Sequence, residues 1–108
     1  MQEEKVYRFD VSVPPTHIVR VKEALANAGA GQLGKYDSCM WTTNGLSQYR
    51  SNPNGEPYTG VLQHTEEAKI ECIVRESVLK DVIAAMKSAH PYECPPFQYW
   101  EVNIKVPQ

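Results

Sequence analysis

No cluster of basic side chains occurs anywhere in the chain: 11 Lys and Arg stand against 13 Asp and Glu in 108 residues, for a net charge of −2. A row of phosphates needs such a cluster, so nucleic acid is not the expected partner. An apolar run of membrane-spanning length is also missing, and the N-terminal Met1-Gln2-Glu3-Glu4-Lys5 is acidic where a secretory leader would be basic. The expectation is a cytoplasmic protein with no membrane partner. Cysteine is scarce: Cys39, Cys72 and Cys94 form an odd set without C-x-x-C spacing, which excludes a disulfide framework and fits free thiols in a reducing compartment. Internal repeats and low-complexity tracts are absent. The length suffices for one hydrophobic core and not for two, so a single domain over 1–108 is expected.

What is present is a regular succession of periodic segments. Tyr7, Phe9, Val11 and Val13 alternate with Arg8, Asp10 and Ser12, which predicts a half-buried first strand. Pro14-Pro15 ends it. Thr16 is a candidate cap for a helix in which Ile18, Val21, Leu25 and Ala28 recur at helical spacing, and Gly29-Ala30-Gly31 supplies positive-φ positions for its end. A second extended run is expected over 35–43, followed by a Gly- and Pro-rich loop over 44–66 with a short strand possible at 47–51. Ala68, Ile70, Cys72 and Val74 then alternate as a third strand, with Cys72 in the core. Ser77 is a candidate cap for a second helix with a stripe of Val78, Leu79, Val82, Ile83 and Met86. The aromatic and β-branched segment 97–104 predicts the last strand, with Pro107 after it.

The order β-α-β-β-α-β is the split βαβ, ferredoxin-like arrangement of the α+β class, in which right-handed crossovers place both helices on one face of an antiparallel sheet. Three connections then share one rim: 14–17, 44–66 and 90–96. His17, His64 and His90, the only histidines, lie in or beside them. The most concentrated chemistry is His90-Pro91-Tyr92-Glu93-Cys94-Pro95-Pro96, where an imidazole, a phenol, a carboxylate and a thiol sit in a connector stiffened by prolines. The plainer reading is that Pro91 stops the second helix and His90 caps it. Imidazoles with Glu93 would suit a divalent transition metal, although no two histidines have ligand spacing.

The runs Ala26-Asn27-Ala28-Gly29-Ala30-Gly31-Gln32-Leu33-Gly34-Lys35-Tyr36-Asp37-Ser38-Cys39 and Ala89-His90-Pro91-Tyr92-Glu93, with the Gly/Pro-rich middle between them, resemble the small inserted domain of the Nif-three-like (YqfO) family, also labelled GTP cyclohydrolase 1 type 2-like. The resemblance covers nearly the whole chain. It implies a fold similar to CutA and the PII signalling proteins, here as a stand-alone domain, and assembly as a homotrimer. The family's dinuclear metal centre is implied to lie in flanking halves whose ligands this chain does not carry, so the cyclohydrolase label does not transfer. In a PII-like trimer, small ligands sit between subunits, against the loop after strand two and the loop after helix two.

These readings converge on a trimeric regulatory module that binds a small molecule or a metal. The expected ligand-binding residues are His90, Tyr92, Glu93, Tyr36 and Cys39, and the expected metal ligands are His90, Glu93 and His64. A different class is an enzyme with Cys39 or Cys94 as nucleophile and His90 as base. A third is a protein-interaction module in which both motifs are structural.

Overall fold

In the computed structural model, which describes residues 4–104, the sheet rests on its two central strands, whose core-facing apolar side chains recur at every second position. β1 (Val6–Val13) turns Phe9, Val11 and Val13 into the core, and β3 (Leu62–Arg75) turns in Ala68, Ile70, Cys72 and Val74. β2 (Met40–Arg50) and β4 (Phe97–Val102) flank them, giving the order β2-β3-β1-β4 with every neighbour antiparallel. α1 (Ile18–Asn27) and α2 (Leu79–Ala89) cover one face, burying Val21, Leu25, Val82 and Met86 against the strands. The architecture is therefore the expected α+β, ferredoxin-like one. Burial pushes the Cys72 thiol up to about 12, as befits a core residue. Pro107 lies outside the described residues, and among these no helix is long and apolar enough to cross a membrane.

Both helices begin differently from the sequence reading. Each is entered through a 3-10 turn, Pro15–His17 or Glu76–Val78, and neither Thr16 nor Ser77 caps backbone. Thr16 Oγ1 instead meets His17 Nδ1 at 2.8 Å, and Ser77 donates to Glu4 at 3.1 Å. The 3-10 turn satisfies some of the first amides with backbone, His17 N–H to Pro14 C=O at 3.0 Å, so a side-chain cap is not required. The end of α1 follows the expectation: Ala30 N–H donates to Leu25 C=O and Gly29 N–H to Ala26 C=O, the paired bonds of a glycine-terminated helix, with Gly29 at φ +106.

The largest correction concerns the second strand and the loop after it. Residues 35–39 are not strand: Leu33 and Tyr36 exchange backbone bonds across a turn, and Ser38 sits at φ +57. Strand β2 starts only at Met40 and continues through eleven residues to Arg50, paired with β3 as far as Leu62. The loop shrinks to 51–61. Because β1 ends opposite Ala68, the outer half of this hairpin has no third strand beside it and projects as a two-stranded ribbon, giving the molecule a long dimension of 55 Å.

Gly31 holds the lower end together. Its N–H donates to Ile73 C=O at 2.8 Å and its C=O accepts from Cys39 N–H at 3.0 Å, so the turn reaches the sheet through this one residue. At φ +84, a Cβ here would lie 2.6 Å from the Cys39 nitrogen. Gly31→Ala is expected to cost about 2–4 kcal/mol through strain and backbone collision. Gly29→Val, which meets only the Val78 side chain, is expected to cost about 1–3 kcal/mol. Urea unfolding of both variants checks the order; equal stability to the parent protein would contradict it.

Candidate functional site

The connector between α2 and β4 is fixed by a deficit in the sheet. Ser12 of β1 stands opposite Pro96, and Ser12 N–H donates to Pro96 C=O at 3.1 Å. The reciprocal bond of an antiparallel pair cannot form, because proline has no N–H. The orphaned Ser12 carbonyl is met by His90 Nε2 at 2.7 Å. On the other side of the ring, Tyr92 N–H lies 3.1 Å from Nδ1. A backbone N–H can only donate, so Nδ1 is the acceptor and Nε2 carries the proton: the tautomer follows from the geometry. His90 N–H also closes α2 on Met86 C=O, and only 7% of the residue is exposed.

Tyr92 extends the clasp to the ribbon. Its ring lies against the imidazole, with centroids 4.8 Å apart, and its hydroxyl donates to Glu67 Oε2 at 2.7 Å. Glu67 is the first β3 residue beyond the end of β1, so its flank is open to the connector. Burial, and then the bond to the Glu67 carboxylate, push the Tyr92 phenol from 10.0 up to about 12. Beside this bond, on the sheet face that the helices leave uncovered, is a hollow of about 480 Å³. Ser12, Thr43, Gly45, Ser47, Glu67 and Lys69 line it. The absent side chain of Gly45, directly opposite Glu67, makes the depression.

The structure brings His90 and Tyr92 together and leaves Glu93 exposed next to them. Tyr36 and Cys39 are elsewhere. Cys39 is tied through Gly31 to Ile73, five residues along β3 from Ala68, or roughly 17 Å at the usual strand rise. Cys39 stands just ahead of β2 rather than within a strand, and its thiol faces the Asp37 carbonyl at 3.7 Å. His64 lies on the ribbon, 3.2 Å from Gln48 Oε1, and Cys94 is exposed. Among the described residues no group of three or more His, Cys, Asp or Glu is placed to hold a metal, so His90, Glu93 and His64 are not gathered by one chain. Both nitrogens of His90 are already engaged. The sequence reading missed Glu67, Lys69 and Gly45. Their signal was the alternation of Ala68, Ile70 and Cys72, which sends Glu67 and Lys69 to the opposite face, and a glycine inside a strand.

No family model matches the chain. A GTP cyclohydrolase 1 type 2 homolog from Halalkalibacterium halodurans is 39% identical over 100 residues, covering 90% of this chain and 27% of that protein. Among solved structures, a Bacillus cereus protein related to NIF3 superposes with a TM-score of 0.86 at 33% identity, over 98% of this chain and 28% of that one. CutA1 from Oryza sativa superposes at 0.71 with 17% identity, over 94% and 84% of the two chains. The GlnK–ATP complex of B. subtilis gives 0.68 at 12% identity, over 94% and 85%. The chain is thus homologous to one segment, about a quarter of the length, of the Nif-three-like proteins, and that segment has the CutA- and PII-like fold.

Two measurements follow from the clasp. His90→Ala leaves the half-buried Ser12 carbonyl and the Tyr92 amide without their partner and is expected to cost about 1–3 kcal/mol. Tyr92 favours its neutral form more in the folded than in the unfolded state, so its contribution is complete below pH 10 and is lost as the pH rises through about 12. In denaturant titrations Tyr92→Phe should therefore lose less stability across that window than the parent protein. A parallel decline in both would remove Tyr92 from the linkage.

Proposed function

We propose that the chain acts as a trimeric, non-catalytic binding module for a small ligand, with the site completed between subunits. The observation that carries this reading is the polar hollow beside the Tyr92–Glu67 bond, on an uncovered sheet face that also presents Trp41 and Trp100, which are 66% and 45% exposed. A sheet covered on one side only buries its other face by assembly, and large exposed aromatics there favour a copy of the same domain as the cover. In this arrangement Glu93 and the exposed side of Tyr92 face a neighbour's ribbon, while His90 holds the connector in shape. The fold analogy with a nucleotide-binding GlnK supports a small-molecule ligand.

A divalent transition metal is the second candidate ligand. His90, Glu93 and His64 are not gathered within one chain and both His90 nitrogens are engaged, so such a centre would join Glu93 of one subunit to His64 of another. The Cys/His enzyme reading has less support, since neither thiol partners His90 and both ring nitrogens are committed. A protein-interaction role would use the same exposed face for a different partner. Native mass spectrometry of protein purified without chelator tests the proposal: it should show a trimer carrying additional mass from a metal or small molecule. A bare monomer at micromolar concentration would overturn it.

A further inference from the structure

The far end of the ribbon presents a second cavity, of about 490 Å³, formed where the 51–61 loop folds back on the strand ends. It is lined by Gln48, Tyr49, Arg50, Asn52, Tyr58 and Leu62, with Pro57. From the Gly45–Glu67 pair to the Arg50–Leu62 pair is five register steps, roughly 17 Å, so this is a different place from the connector.

The loop is built around one side chain. Asn52 Oδ1 accepts from Thr59 N–H at 3.2 Å and from Gly60 N–H at 3.1 Å, and Gly60 passes so close to Ser51 that a Cβ would overlap the Ser51 carbonyl. This closure carries Tyr58, in a left-handed conformation at φ +68, to the guanidinium of Arg50, with its ring centroid 5.6 Å from the central carbon. Arg50 has no carboxylate partner among the described residues, and its Nε is sealed from water without an acceptor. Aromatic stacking stabilises the cation but gives Nε–H no acceptor, because a ring face offers no lone pair in the guanidinium plane. With Nε turned inward, it is the remainder of the guanidinium, lining the cavity, that is left to meet a ligand, and its planar set of donors matches an oxyanion.

We propose that the ribbon tip is an oxyanion-binding site, in which Arg50 takes the phosphate or carboxylate group of a small ligand while Tyr49, Pro57, Tyr58 and Leu62 offer an apolar wall to the rest of it. The site is separate from the connector, and one chain supplies all of its lining. It is tested by following the Arg50 Nε–H signal and the loop amides by NMR while inorganic phosphate, acetate or, as an ionic-strength control, chloride is added. Saturable movement of the Arg50 signal with phosphate or with acetate, absent with matched chloride, supports the site, and the arm that saturates identifies the group. Arg50→Gln should abolish the saturable response of the loop amides, and Arg50→Lys, which keeps the charge without the fork, should weaken it at least about tenfold. The ribbon amides of both variants report whether the hairpin is intact. Equal shifts in all three salts overturn the proposal, as does a Gln variant with an intact ribbon that still responds like the parent.

Discussion

One missing hydrogen overshadows the local architecture: Pro96 cannot donate to Ser12, and the imidazole of His90 does so instead. From this substitution the rest of the rim follows. The donor role at Nε2 makes Nδ1 an acceptor, which captures Tyr92 N–H; the captured Tyr92 lays its ring on the imidazole and sends its hydroxyl to Glu67. The end of β1, the end of α2, the start of β4 and the base of the ribbon are thereby joined through two side chains. A half-buried carbonyl left without a donor is unfavourable, which favours this arrangement without a ligand. The histidine that looks most like a ligand in the sequence is therefore better understood as a positioning residue, and the chemistry open to a partner passes to its neighbours.

The parts of the fold that were legible in the sequence are those governed by periodicity. Phe9, Val11 and Val13, and Ile70, Cys72 and Val74, specify which face of β1 and β3 is buried, and the helical stripes of α1 and α2 specify what covers it. Chain order and right-handed crossovers then place the rim. The sequence was silent where one face of a strand has no core to meet. Thr42, Asn44, Leu46 and Gln48 point to the helix side of the sheet but extend beyond the helices, so the hydrophobic alternation that marks a strand is absent although the pairing to β3 is complete. For the same reason the Gly-containing, polar composition of 44–50 predicts a loop where the structure has strand. The site was legible only in part: the 90–96 connector is recognisable from its prolines, whereas the Ser12–Pro96 deficit needs the register, and Glu67 needs the knowledge that β1 stops at Val13.

The two faces of the sheet divide the labour. The helix side is closed and apolar. The other side carries Lys69, Glu67 and the hollow near the rim, and Ile73, Trp100 and Trp41 lower down, with Arg8 and Glu71 paired at 3.6 Å between them. An apolar lower half suits contact with another copy, and a polar upper half suits a ligand enclosed by that contact. This combination supports the proposed module more than any single residue does, and it fits a segment that makes up about a quarter of the Nif-three-like proteins it matches.

The claim that His90 replaces the donor that Pro96 lacks can be measured by a double-mutant cycle on stability with His90→Ala and Pro96→Ala. Alanine at 96 restores a backbone N–H facing the Ser12 carbonyl, so it has most to offer where the imidazole has been removed. The account predicts coupling: Pro96→Ala should be more favourable in the His90→Ala background than in the parent protein by about 1 kcal/mol. Strict additivity of the two changes would contradict it.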